Sequence, residues 1–263
     1  MNLNTPWRKT AATIYKKPLD SKILGSVEID VSNLAKYIKQ QRAQGNKITY
    51  THFYMVATAK ALATEVPEMN AYVKRGNIVS HDDIIATVSI LLETGDMGSV
   101  KVPQAHKVSI LDAEKTLAKK IVDTRNGKEN KLMKMKDTMG NIPWPFRNMV
   151  YAVIKKFTID WGLEIPFLGL KASSFGSFVL SNVGTLGLDV AFPALLPTAN
   201  VAFVLILGKP TLKPWVVDSQ VVAREIMTLS IAIDHRVADA SHAGKLFQYY
   251  KKVILNPEIL EAN

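Results

Sequence analysis

The sequence predicts one α+β domain, and three observations lead to this prediction. Apolar residues recur at helical spacing in some segments and alternate with polar residues in others. No internal repeat or Pro/Gly/Ser-rich linker divides the 263 residues. With 48% hydrophobic residues, 21% charged residues and no cysteine, the composition is that of a globular chain. It excludes a disordered or fibrous protein, a disulfide framework and a cysteine nucleophile.

The spacing of apolar residues sets the order of elements. The first half is predicted to contain helices at about 31–42, 51–64 and 110–126, a strand at 83–93, and a hairpin in NAYVKRGNIVS that turns at Gly76-Asn77. The second half is predicted as strands at 177–183, 199–207, 215–223 and 224–234, then a helix at 241–255. In the last strand Met227, Leu229 and Ile231 alternate with smaller residues, which is the period of a half-buried strand.

The segment from about 133 to 172 has a different character. It begins with turn residues and continues as an amphipathic helix, with Val150, Val153, Phe157 and Trp161 on one side. Three interpretations stand at this point. The apolar stripe packs on the core, covers an apolar substrate as a lid, or lies on a membrane surface as an interfacial helix.

Positive charge is concentrated in one part of the chain. The formal net charge is +10, and the stretch from Lys115 to Lys156 carries eleven basic and three acidic residues, a net +8. Such a segment suits nucleic acid, anionic lipid or a phosphorylated cofactor, and it also suits a solvated helical face.

Neither a leader nor a membrane span is predicted. The N-terminus has no apolar core of the secretory type. The uncharged run of 19 residues from Val190 to Gly208 contains two prolines, so it is predicted as a loop followed by a buried strand. The absence of cysteine fits a reducing compartment, and we expect a cytoplasmic protein.

Few motifs in the sequence predict a catalytic or ligand-binding site. The glycines match neither phosphate-binding pattern, and His81 beside two aspartates has no further ligand at useful spacing, so no metal site is predicted. An alternating strand runs directly into Asp234-His235-Arg236, followed by Asp239 and an amphipathic helix. A histidine held at such a junction suits a general base. The same residues also fit a plain strand end and a helix N-cap.

This C-terminal segment resembles a known family. DHRVADASHAGKLFQYYKKVILNPEIL is similar to the end of the catalytic domain of the 2-oxo acid dehydrogenase dihydrolipoyl acyltransferases, whose pattern DHRxxDG has a shorter form in chloramphenicol acetyltransferase. FVLSNVG and the strand ANVAFVLILG resemble further family segments, as does the run ending in PEMNA. The resemblance covers roughly residues 20–130 and 174–260 in family order. It implies a chloramphenicol acetyltransferase-like fold with a mixed β-sheet and flanking helices.

The resemblance also implies roles for individual residues. The family moves an acyl group between coenzyme A and a thiol or hydroxyl acceptor. His235 matches the general base and Ser181 the serine that stabilises the oxyanion. Asp239 matches the aspartate that holds the histidine loop through an arginine, for which Arg8 is the candidate, and Arg236 is expected to support the same loop.

Several features depart from the family pattern. Ala240 replaces the glycine that follows the aspartate, and the segment at about 133–172 is an insertion into the single domain of residues 1–263. No lipoyl domain precedes the match, so we expect no covalently bound lipoyl group. The resemblance implies a homotrimer or larger homo-oligomer with its active site between subunits. Lys134 and Lys136 are candidates for binding the phosphates of coenzyme A.

The functional prediction is therefore a coenzyme A-dependent acyltransferase with a small-molecule or carrier-bound acceptor. Two alternatives remain open. One is a non-catalytic oligomeric relative with a structural or regulatory role, which Ala240 favours. The other is a protein that binds a membrane surface or another anion through the basic segment, with nucleic acid the less favoured partner.

Overall fold

A computed structural model describes residues 21–92, 95, 97–125, 141–164, 171–196 and 199–262. The helices are α1 (Ser32–Ala43), α2 (Tyr50–Thr64), α3 (Ile110–Arg125), α4 (Phe146–Lys155) and α5 (Ala240–Leu255). The strands are β1 (Lys22–Asp30), β2 (Ala71–Lys74), β3 (Asn77–Ser80), β4 (Ala86–Leu91), β5 (Met97–Val102), β6 (Phe178–Asn182), β7 (Phe203–Leu207), β8 (Thr211–Val217) and β9 (Gln220–Asp234). The α+β class predicted from the sequence is confirmed.

A mixed sheet forms the centre of the described chain. Its strands follow the order β1-β9-β7-β6-β4-β5, and β8 pairs with the first half of β9. Strands β4, β6 and β7 run parallel to one another, whereas β1 and β7 flank β9 in antiparallel register. Strands β2 and β3 form a separate hairpin.

Both faces of this sheet are covered. Helix α2 is buried along most of its length and packs with α5 against the face that carries Leu229 and Leu205. On the other face the loop around Ala191 and Leu195 covers Val204 and Ile206. Strand β9 is therefore buried on both sides from Met227 to Asp234. The expectation of a half-buried strand is wrong here, because the small residues Thr228, Ser230 and Ala232 face this second cover.

Two hairpin turns lie where the backbone adopts a positive φ. Arg75 and Gly76 form the turn between β2 and β3, one residue earlier than predicted. Asp218 and Ser219, also at positive φ, form the turn between β8 and β9, inside the single strand predicted at 215–223. Asp-Ser tolerates the left-handed region less readily than glycine, so this turn gave a weak signal in the sequence.

The described residues of the run from Val190 to Gly208 form a loop followed by the buried strand β7, as predicted. In the described chain, no helix has both the length and the apolarity that crossing a membrane requires.

Two glycines allow the loops after β6 and β7 to touch. A Cβ at Gly184 would lie 2.7 Å from the carbonyl oxygen of Gly208, and a Cβ at Gly208 would lie 2.0 Å from the carbonyl oxygen of Asp189. The N–H of Gly208 donates to Thr228 at 2.9 Å, and the N–H of Lys209 donates to Leu188 at 2.9 Å. These glycines therefore serve close packing of the backbone.

We expect Gly208→Ala to lower the free energy of unfolding by about 3 kcal/mol or more, because the added methyl group overlaps backbone atoms that cannot move independently. Gly244→Ala in helix α5 is the matched control, since nothing lies within 4 Å of its added Cβ. That control should raise stability by about 0.5–1 kcal/mol. Urea titrations of both variants measure the difference, and equal effects would contradict this account of Gly208.

Candidate functional site

The loop between β9 and α5 carries the polar cluster predicted from the sequence. Its backbone is tied to two distant segments: the N–H of Asp234 donates to Ala202 at 2.8 Å, and the N–H of His235 donates to Ser21 at 2.9 Å. Two further N–H groups, those of Val237 and Ala238, donate to the carbonyl of Asp234 at 2.9 and 3.1 Å. The loop is therefore a tight turn fixed to the end of the sheet.

The side chain of Asp234 anchors this turn from inside. It is only 6% exposed, and Arg236 donates to both of its carboxylate oxygens, with the shortest bond at 2.6 Å. Ser21 Oγ donates to the same carboxylate at 3.0 Å. Burial by itself raises the pKa of Asp234, but the hydrogen bonds from Arg236 and Ser21 outweigh it and lower that pKa below the ordinary value of 3.8. The Asp234 carboxylate is thus charged and paired.

His235 projects from this turn toward solvent. Its side chain is 53% exposed, and Nδ1 lies 3.0 Å from Oδ1 of Asp239 and 3.4 Å from the carbonyl oxygen of Ala238. Both neighbours are acceptors, so they favour the tautomer with the proton on Nδ1. In that tautomer Nε2 is the free acceptor, on the side of the ring away from Asp239.

Asp239 is also the N-cap residue of helix α5. Its N–H donates to Nδ1 of His242 at 3.0 Å. The carboxylate reaches His235 directly, whereas the resemblance implied a link through an arginine. Arg8, the candidate for that arginine, lies outside the described residues, as do Lys134 and Lys136.

Ala240, where the family pattern has glycine, is the first residue of α5 and is exposed. Its backbone does not adopt a positive φ. Within the described chain, the backbone at this position therefore does not need glycine.

Ser181 lies at the other end of the sheet. The register places it beside Ile206 of β7, which in turn lies beside Ser230 of β9. His235 follows Ser230 by five positions, about 16 Å along a strand, and two strand spacings add about 10 Å sideways. One chain therefore holds Ser181 and His235 about 19 Å apart and does not bring them together.

The turn after Ser181 is fixed by a contact that the sequence did not reveal. Asn182 Nδ2 donates to Oγ1 of Thr51 at the start of α2, at 3.0 Å. Ser21 was missed in the same way, because its partner Asp234 is 213 positions away. Neither contact belongs to a local pattern, so no spacing could have shown it.

His52 and His81 lie in buried surroundings typical of histidines with a structural role. Burial lowers the pKa of His52 to about 4, and its Nδ1 accepts a hydrogen bond from the N–H of Thr49 at 3.0 Å. Burial also lowers the pKa of His81, against the opposing charge of Asp82, and its ring packs on Tyr72. Among the residues that the structure describes, no three His, Asp or Glu side chains are grouped to hold a metal ion.

Comparison with known proteins identifies similar chains. A family model described as 2-oxoacid dehydrogenases acyltransferase (catalytic domain) matches residues 5–141 and 168–262. The dihydrolipoyllysine-residue acetyltransferase component of the pyruvate dehydrogenase complex of Rickettsia prowazekii is 26% identical over 217 residues. That match covers 81% of this chain and 42% of the relative, so this chain spans less than half of the relative's length.

Solved structures of similar fold are also known. The probable dihydrolipoamide acetyltransferase of Listeria monocytogenes matches with a TM-score of 0.67 at 20% identity, over 96% of this chain and 92% of that one. The dihydrolipoamide acetyltransferase of Azotobacter vinelandii, studied for the role of a serine, a histidine and an asparagine in its catalytic mechanism, matches with a TM-score of 0.66 at 16% identity. That match covers 92% of this chain and 84% of that one. Both matches confirm the fold implied by the sequence.

Asp234→Asn should cost about 1–3 kcal/mol of stability at pH 7, because it weakens the pairing with Arg236 and leaves buried polar groups poorly satisfied. Since the pKa of Asp234 is lowered in the folded chain, its charged form stabilises the fold above the ordinary pKa. That contribution is lost as the pH falls through the ordinary value of 3.8 toward the folded-state pKa. The stability difference between the two proteins should therefore shrink at acidic pH.

Thermal unfolding of both proteins at a series of pH values measures this difference. Asp218→Asn is the control, because Asp218 is exposed in a turn at positive φ that asparagine also adopts. A stability difference for Asp234→Asn that stayed constant between pH 7 and pH 3 would contradict the assigned role of the carboxylate.

Proposed function

Since the chain belongs to the 2-oxoacid dehydrogenase acyltransferases, whose catalytic domain it matches, we propose that it transfers an acyl group between coenzyme A and a thiol or hydroxyl acceptor. The observation that carries the proposal is the turn after β9, which holds His235 rigidly while leaving half of its side chain exposed. A fixed and accessible imidazole is what a general base requires.

His235 acts as the base through Nε2. The carboxylate of Asp239 and the carbonyl of Ala238 hold the proton on Nδ1, so Nε2 takes the proton of the attacking thiol. A free thiol has a pKa of about 8.5, and proton transfer to the imidazole supplies thiolate at neutral pH. The catalytic histidine and asparagine named for the Azotobacter vinelandii enzyme are four positions apart, the spacing of His235 and Asp239 here, which supports the pairing.

Ser181 stabilises the tetrahedral oxyanion with its hydroxyl group. Its place at the end of β6, where Asn182 is tied to Thr51, keeps this donor fixed. Loss of one such donor typically costs about 100- to 1,000-fold in rate. Arg236 takes no part in the reaction in this scheme; it positions the histidine turn through Asp234.

The reaction needs two copies of the chain. Ser181 and His235 lie at opposite ends of one sheet, about 19 Å apart, and no hinge in a sheet closes such a distance. A head-to-tail contact between copies places His235 of one copy beside Ser181 of the next, and such contacts close into a ring. We propose the homotrimer implied by the family resemblance as the smallest assembly of this kind.

The names of the relatives indicate which acyl acceptor to test first. The Rickettsia prowazekii relative is named a dihydrolipoyllysine-residue acetyltransferase, so dihydrolipoamide is the first acceptor to test. Lys134 and Lys136 belong to the basic stretch and are proposed to bind the phosphates of coenzyme A.

We expect His235→Ala to lower the rate of thiol release from acetyl-CoA, measured with dihydrolipoamide, by about 100- to 10,000-fold, because general-base catalysis contributes that much. His242→Ala is the control, since His242 lies in the first turn of α5, accepts from the backbone N–H of Asp239 and has no role in the proposed reaction. Native turnover without any effect of His235→Ala would contradict the assigned base. Absence of both turnover and coenzyme A binding would favour a non-catalytic relative.

Mixing two inactive variants tests whether the site lies between copies. Co-assembled His235→Ala and Ser181→Ala chains should regain about one quarter of native activity, because one contact in four pairs an intact histidine with an intact serine. Each variant alone should stay inactive. If the mixed assembly, verified by differential tags, showed no recovery, the site would not be shared between copies.

A further inference from the structure

Helix α4 is amphipathic with its apolar side turned away from the protein. Phe146, Met149, Val153, Phe157 and Trp161 follow one another at helical spacing through α4 and the wider turn at Lys156–Asp160, and their exposed fractions range from 39% to 62%. We call these five residues the outward face. Helix α4 itself contains no buried residue. An amphipathic helix in a globular domain normally turns this stripe inward, so the interpretation that it packs on the core is wrong for the described chain.

The C-terminal end of the helix segment is tied to the rest of the described chain. Thr158 is buried, Arg75 Nε donates to the carbonyl of Trp161 at 3.0 Å, and Lys74 Nζ donates to Glu164 at 2.9 Å. Gly162, at a φ of +59°, lies so close to Lys74 that a Cβ there would approach its side chain to 2.7 Å. The β2–β3 hairpin therefore holds the end of the segment after α4, and among the described residues the outward face stays exposed.

Aromatic side chains lie at both ends of the outward face. Trp144, just before α4, is 77% exposed, and Trp161 after the wider turn is 49% exposed. Tryptophan is enriched where protein meets the interface between lipid headgroups and acyl chains. The length and composition of the segment match a helix that lies in the plane of that interface.

The charges around the outward face are positive. Arg147, Lys155 and Lys156 lie along the helix, and no acidic residue occurs between Asp137 and Asp160. Asp160 itself pairs with Lys156 at 3.5 Å. A surface of anionic headgroups supplies the opposite charge, whereas the same face of a second copy presents the same cations. Charge complementarity therefore favours lipid over a contact between the outward faces of two copies.

We propose that the outward face docks on an anionic lipid bilayer, with the apolar side chains inserted at the acyl boundary and the cations among the headgroups. The end of the segment lies near the proposed active site, because the charge of Asp160 acts on Arg236 beside His235. Docking would bring that turn close to the lipid surface. The inference concerns binding alone, so it stands or fails independently of the proposed transferase activity.

Co-sedimentation with lipid vesicles tests the proposal without any acyl substrate. The chain should bind vesicles of phosphatidylcholine and phosphatidylglycerol (3:1) at least about tenfold more tightly than vesicles of phosphatidylcholine alone, and added salt should weaken that binding. Met149→Asp/Val153→Asp should lower binding to the anionic vesicles by about tenfold or more, because two charges would enter the acyl boundary.

The matched control is Leu212→Asp/Val221→Asp, two equally exposed aliphatic residues on the β8–β9 hairpin, at 73% and 71% exposure; it should bind as the native chain does. Trp144→Ala gives a second variant whose exposed side chain cannot disturb the fold, and it should also bind more weakly. Native protein that ignores anionic vesicles would overturn the proposal, as would equal loss in the control. So would a native assembly that dissociates on Met149→Asp/Val153→Asp without any vesicle binding, since the outward face would then join two copies.

Discussion

A buried carboxylate at the end of the longest strand determines how the candidate site is built. Asp234 is almost fully enclosed, and a charge in that position is tolerated only when it is paired and hydrogen-bonded. Arg236 and Ser21 meet this requirement, and both bonds constrain the turn on which His235 stands. The position of the candidate base is thus a consequence of satisfying a buried charge, and the direction of its ring follows from Asp239 one turn later.

The sheet in turn fixes what one chain can and cannot do. Backbone pairing holds Ser181 and His235 in register at opposite ends, and such a ladder cannot shorten without losing the core on both of its faces. In the proposed mechanism the two groups therefore work together only across a contact between copies. Gly184 and Gly208 serve the same rigidity, since they let the loop after Ser181 pack directly on the loop after β7. Rigid placement of both halves is what a reaction through an oxyanion requires.

The sequence predicted the elements whose signals are local. Helices α1, α2, α3 and α5 and most strands were found within a few residues, because apolar periodicity reports one buried face. The candidate site was predicted from the DHR pattern and the SNVG turn, which are also local. What escaped prediction depends on contacts between distant segments: Ser21 beside Asp234, Asn182 beside Thr51, and strand β1 paired along β9. The β8–β9 turn escaped for another reason, because Asp218-Ser219 lacks the glycine that normally marks a positive φ.

Helix α4 shows the limit of periodicity most clearly. The spacing of its apolar residues predicts that one side is shielded from water, but it does not show what covers that side. The answer comes from the three-dimensional structure, in which the hairpin residues Lys74 and Arg75 hold the end of the segment after α4 and the apolar side chains of α4 are exposed. The end of the segment also lies near the turn that carries His235, because the charge of Asp160 acts on Arg236. A lipid surface at that face would therefore limit the approach to the histidine to substrates that reach it along the bilayer, which joins the choice of acceptor to the place where the chain docks.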